Sequence, residues 1–168
     1  MTALNPADLR GLYEYVTQSR RKFLAKSLEL GWDEFTKNRE ASWNSMLGVF
    51  VHILEVEDSW LHYDVAGIPW PYGDRDPTAF KTFKEVEAYD RELAEKTRRL
   101  IENLTPETLA THVVFEWRDG KVKSSVENIL IHTLIDELAH IGELVCLMWQ
   151  IDTKPPWTNW MEGRYEPL

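Results

Sequence analysis

Apolar positions along this chain repeat at three- and four-residue intervals over four long stretches, the period of helices that bury one face. The first stretch runs from Asn5 to about Leu30 on Leu9, Leu12, Tyr13, Val16, Phe23, Leu24 and Leu28. Asn5-Pro6-Ala7-Asp8 supplies a cap, a proline at the first helical position and an acid in the first turn, and Gly31 stops the helix. Trp32 to Glu40 is polar around Trp32 and Phe35 and reads as a connector that tucks both aromatics onto the core.

The second stretch, from about Ser42 to Val65, carries Trp43, Met46, Leu47, Phe50, Ile53, Leu54, Trp60 and Leu61. His52 lies beside this stripe, and the mostly small or apolar Gly48, Val49, Glu55 and Val56 at one-turn spacing leave its imidazole facing inward. Gly67 to Pro77, with Trp70 and Tyr72, predicts an aromatic loop long enough to overhang a site. Thr82-Phe83-Lys84-Glu85 has capping-box spacing and opens a charged third helix that ends near Leu104. A short turn at Thr105-Pro106-Glu107 follows, then a hairpin of His112–Trp117 and Lys121–Lys123 about the turn pair Asp119-Gly120. Ser124-Ser125-Val126-Glu127 offers another capping box for a last helix reaching about Ile151, and the tail brings Trp157, Trp160 and Tyr165 back to the body.

These elements predict an all-α fold: an up-down four-helix bundle with long connections and a minor β-hairpin before the last helix, in one domain spanning residues 1–168. Binding sites in bundles form where inward side chains of different helices meet.

Net charge narrows the partners. At −9 the chain repels phosphate backbones and anionic membrane surfaces, so neither nucleic acid nor membrane is an expected partner. Arg20-Arg21-Lys22, its densest basic cluster, reads as a solvated face. A single cysteine, Cys146, excludes an internal disulfide and a multi-cysteine zinc site, and its apolar neighbours predict a buried, inert thiol. With no leader-like start and no membrane-length apolar run, the expected location is the cytoplasm.

The chemistry concentrates on the last helix. His132, Asp136 and His140 follow one another at four-residue spacing and share one face, with Glu143 beside them. That spacing suits adjacent helical ligands of one metal ion, and equally a hydrogen-bonded histidine network. His62 and His112 stand in no comparable array and read as surface or structural histidines.

The segments Val49-Phe50-Val51-His52-Ile53-Leu54-Glu55-Val56-Glu57-Asp58-Ser59-Trp60 and Ile131 to Glu143 resemble the two signatures of the DinB/YfiT-like superfamily of four-helix metal-binding proteins. The family places one histidine in the second helix and a His-x3-His pair late in the chain. This resemblance implies that His52 and His140 are metal ligands, with Asp136 where the family usually has the first histidine of the pair. Ile141-Gly142-Glu143 replaces the usual Arg-Gly-Gln. The branch that resembles mycothiol-dependent maleylpyruvate isomerases carries a carboxylate at that middle position, which keeps Asp136 as a ligand. His132 is then a supporting group or an alternative ligand, in a fallback set of His52, His132 and His140.

Two imidazoles and a carboxylate suit a divalent transition metal such as Zn, Ni or Fe with a position left open. Glu143 and Glu55 are candidate catalytic groups, orienting imidazoles or accepting a proton near the open position. The resemblance implies a metal-dependent enzyme that transfers or isomerises a small-molecule substrate, using a low-molecular-weight thiol such as bacillithiol or mycothiol. The aromatics from Pro69 to Tyr72, with Trp157 and Trp160, are candidate pocket walls. Two other readings stand beside it: a stress-related metal-binding or interaction protein without turnover, in either case a possible homodimer, and a metal-dependent hydrolase.

Overall fold

Asn5 opens the first helix as predicted: its Oδ1 accepts from Ala7 N at 3.0 Å, and α1 (Pro6–Leu30) ends at Gly31 with φ of 90°. The computed structural model describes residues 5–69, 75–117 and 120–164. A short helix, α2 (Trp32–Thr36), follows in the predicted connector. It carries Phe35 into full burial, where the ring stacks on Phe83 at 4.8 Å.

The second long helix starts later than its apolar pattern suggests. Ser45, not a residue near Ser42, is the cap: its Oγ accepts from Gly48 N at 3.0 Å and α3 spans Met46–Glu57. Trp43 therefore lies in the preceding loop rather than on the helix. Past Glu57 the backbone widens into a π-helical segment, Asp58–Val65, in which the consecutive residues Leu61 and His62 are both buried. Of the predicted overhanging loop, Trp70 and Tyr72 lie outside the described residues, as do Asp119 and Tyr165.

Thr82 and Glu85 form the predicted capping box of α4 (Phe83–Glu102), and Thr105 caps α5 (Pro106–Ala110). Strands β1 (His112–Trp117) and β2 (Gly120–Ser125) pair antiparallel from His112 opposite Ser125 to Trp117 opposite Gly120. Gly120 thus belongs to the ladder and not to the turn. Ser125, rather than Ser124, caps α6 (Val126–Trp149), accepting from Asn128 N at 3.2 Å.

Helices α1, α3, α4 and α6 pack as a bundle in which α6 and α4 each lie against both α1 and α3. Leu9, Phe23, Phe50, Leu54, Leu93, Leu130 and Leu144 are among its fully buried side chains. Among the described residues no helix is long and apolar enough to cross a membrane.

One core residue overturns its sequence reading. Arg20, expected on a solvated face, is 0% exposed. Its Nη1 donates to Glu57 Oε2 and Glu137 Oε1, each at 2.6 Å, and its Nε donates to Asp90 Oδ1 at 2.7 Å. Arg21, half-exposed, donates to the other Asp90 oxygen at 2.7 Å. These groups come from all four long helices, so the cluster is complete only when the four are in register. Burial alone would weaken the Arg20 cation, and the charges of Glu137, Glu57 and Asp90 outweigh it. Burial pushes the Glu137 carboxyl up to about 8, against the pull of Arg20 and with a further push from Glu57. A protonated Glu137 leaves two carboxylates against two guanidinium groups.

Beyond this cluster the Thr97 hydroxyl donates to Glu57, so the Thr97 oxygen is left to accept from His62 Nε2 at 3.1 Å. Burial holds His62 below its ordinary pKa, consistent with a neutral, structural imidazole.

Candidate metal centre

Three ligand-type side chains from two helices converge. His52 on α3 and Asp136 and His140 on α6 each offer one ligand atom, and these atoms lie within 4.8 Å of one another. Asp136 Oδ2 is 3.6 Å from His140 Nε2 and 3.8 Å from His52 Nε2. Both separations exceed hydrogen-bond length. They are close to the roughly 3.4 Å edge of a tetrahedron whose centre is about 2.1 Å from each donor. Asp136 Oδ2 is buried with no hydrogen-bond partner, an arrangement that is costly unless a cation meets it. The residues thus fit a divalent metal, and the hydrogen-bonded network of histidines is the poorer description of the distances.

The second layer fixes these groups. Glu143 Oε2 accepts from Ser42 Oγ at 2.5 Å and lies 2.8 Å from His140 Nδ1. Burial alone would raise the Glu143 pKa, and the hydrogen bonds from Ser42 and His140 instead hold it below its ordinary value. An ionised carboxylate only accepts, so His140 donates from Nδ1 and turns a bare Nε2 lone pair toward Asp136. Glu143→Gln is expected to weaken metal affinity by about 10–100-fold, read by competition with a chelator.

Trp43 lies flat on His52, ring centroids 3.8 Å apart at 17°, while His52 and His140 meet edge-on at 4.5 Å. The loop carrying Trp43 holds Glu40, Ser42 and Asn44 at φ of 52°, 47° and 64°. Left-handed conformations at such residues cost about 1 kcal/mol or more each, and strain of this kind tends to mark functional segments. Here the strained loop delivers Ser42 to Glu143 and Trp43 to His52.

Gly48 makes the close approach feasible, because a Cβ there would sit 1.9 Å from the Trp43 carbonyl oxygen. Gly48→Ala is therefore expected to cost at least about 1–3 kcal/mol in denaturant unfolding and to weaken metal binding as the loop is pushed away. The measured pair of effects separates a loop that only packs from one that shapes the site.

A cavity of about 250 Å³ opens beside His52, lined by Trp43, Glu55, Ser59 and Arg75 among others. Glu55 accepts a hydrogen bond from the Arg75 backbone N–H, and the Arg75 guanidinium lies 3.9 Å over the Tyr89 ring. A larger groove of about 510 Å³ between α1 and α4 contains none of the candidate ligands.

Other expected site residues fall elsewhere. His132 is exposed and sits edge-on to Trp60 at 5.1 Å, outside the cluster, so the fallback set is not assembled. Trp160 packs edge-on against Tyr15 of α1 at 5.4 Å and Trp157 is 73% exposed, so neither lines the cavity beside His52. Cys146, expected buried, is exposed. Ser42 and the stacking role of Trp43 were not apparent from sequence, where both counted as helix. The Ser-x-x-Gly spacing of Ser45 and Gly48, a cap followed by a residue without a side chain, was the available sign.

The family model described as the DinB family matches residues 3–166 of the chain. No curated protein matches it.

Proposed function

The chain belongs to the DinB family, and on that premise we propose that His52, Asp136 and His140 bind one divalent transition-metal ion and that the protein is a thiol-dependent transferase or isomerase. The observation that carries this reading is the buried, unpartnered Oδ2 of Asp136 between two imidazole Nε2 atoms. Zn, Ni and Fe all suit the donor set. The ion, when bound, supplies the charge that acidifies a thiol or water in its open position.

The chain's own residues do the rest. Glu143 holds the His140 tautomer, and Trp43 covers one face of His52. The cavity beside His52 is the proposed seat of a small-molecule substrate, with Glu55 there as the proton acceptor. A thiolate produced in this way attacks an electrophilic carbon, forming an S–C bond as the leaving group departs with its electron pair.

The test incubates the metal-loaded protein with bacillithiol or mycothiol and an activated aryl chloride, following thiol consumption and chloride release. Consumption that disappears on metal removal is expected. Cleavage of an ester without thiol would instead support a hydrolase, and bound metal with neither reaction would support the stress-related binding protein.

A further inference from the structure

The groove of about 510 Å³ lies between α1 and α4, across the bundle from the α3 and α6 side chains of the candidate metal centre. Its volume falls within the roughly 300–1,000 Å³ of small-molecule sites. The two helices run in opposite directions here. Trp32, just past the end of α1, meets Phe83 at the start of α4 with ring centroids 5.1 Å apart, and Arg21 reaches Asp90. Gln18, Arg21 and Arg91 therefore stand at one end of the groove, and Arg10, Ile101 and Glu102 at the other.

The charges along the groove do not cancel. Arg98 donates to both Glu95 and Glu102, and Arg99 also donates to Glu95, so two cations meet two carboxylates. Arg10 and Glu14 add one charge of each sign. At the Arg91 end both Asp90 oxygens are occupied, Oδ1 by Arg20 and Oδ2 by Arg21. With Glu137 protonated, Asp90 and Glu57 balance those two guanidinium groups and have no charge to spare for a third. Arg91 is the cation left over. Among the described residues it pairs with no carboxylate, neither Glu87 nor Glu95 one turn away on its own helix. A chain at −9 repels anions over most of its surface, so a single unbalanced guanidinium above a groove marks a place for one negative charge.

The floor calls for an apolar body behind that charge. Ala94, Ile101 and Tyr13 line it, and the Tyr13 hydroxyl is turned inward, donating to Leu130 O at 3.1 Å, so the groove meets its ring. From Arg91 to Ile101 the groove follows α4 for about 15 Å. That length suits an extended aliphatic chain better than a compact ring. The planar fork of an arginine matches a carboxylate, and Arg21 and Gln18 stand beside Arg91 as further donors.

We propose that this groove binds an aliphatic monocarboxylate, its head group at Arg91 and its chain laid over Ala94, Tyr13 and Ile101 toward Arg10. No residue of the groove is a candidate metal ligand, so failure of either site leaves the other intact.

Equilibrium dialysis of the full, metal-loaded chain against radiolabelled dodecanoate tests it. One site per chain is expected. Loss of the charged hydrogen bonds in Arg91→Gln should weaken binding by at least about tenfold. Octanoate should also bind at least about tenfold more weakly, because each buried methylene adds affinity. Ala94→Phe, which fills the groove, should abolish binding, and His52→Ala should bind as the native chain does. Circular dichroism and metal content should be unchanged in Arg91→Gln, whose native side chain is exposed. No binding, binding untouched by Arg91→Gln, or binding lost in His52→Ala would overturn the proposal. So would dodecyl phosphate binding more tightly than dodecanoate, the mark of a site for a dianion. Should Ala94→Phe fail to fold, Arg91→Gln and Arg10→Gln decide between them: a loss confined to position 91 supports the site, and equal losses overturn it.

Discussion

Arg20→Leu is expected to destabilise the fold by about 3–5 kcal/mol, the usual cost of removing one partner from a buried ion pair. The leucine would leave Glu57, Glu137 and Asp90 buried, with only half-exposed Arg21 still paired to one of them. Glu137→Gln should cost far less, because a carboxyl pushed up to about 8 is already protonated at neutral pH and an amide replaces it nearly isosterically. The same shift fixes a pH dependence. Between its ordinary 4.5 and about 8 the folded chain holds a Glu137 proton that the unfolded chain releases, so this contribution is full below 4.5 and is lost as pH rises through 8. Denaturant unfolding from pH 5 to 8 should therefore show the native protein losing stability relative to Glu137→Gln as pH rises. An Arg20→Leu variant as stable as the native chain would contradict the role of the cluster in setting helix register.

The second large effect is on metal. His52→Ala and His140→Ala are each expected to lower affinity by more than about 100-fold, since even groups one layer out commonly cost 10–100-fold. His132→Ala should leave affinity unchanged, as its ring packs on Trp60 away from the cluster. The effect is visible in unfolding. A ligand at 100 times its Kd stabilises by about 2.7 kcal/mol, so added metal should raise the native Tm and fail to raise it in the two alanine variants. A metal-induced shift that persists in His140→Ala would remove that residue from the site.

Helices and caps were legible in the sequence because their signals are local. Asn5 with Pro6 and Thr82 with Glu85 act within one turn, and the structure uses them where the sequence places them. The Asp136–His140 pair was legible as candidate ligands from its four-residue spacing, whereas His52 became one only through a family pattern, since it is far from the pair in sequence. The Arg20 cluster was hidden for a physical reason. Its partners lie 37, 70 and 117 residues away, and three consecutive basic residues look the same whether one of them is buried or all are solvated. Trp43 was misplaced because its spacing fits the helix that Ser45 starts, and only the left-handed turns at 40, 42 and 44 set it apart.

Asp136 is the residue on which the candidate metal centre turns, as the one carboxylate among its candidate ligands and the one with an orphaned buried oxygen. Elemental analysis with X-ray absorption on the purified chain tests it most directly. The expected result is one divalent transition-metal ion per chain, bound by two imidazoles and a carboxylate, lost in Asp136→Ala and retained in His132→Ala. Metal content unchanged by Asp136→Ala, or a spectrum requiring three imidazoles, would contradict it.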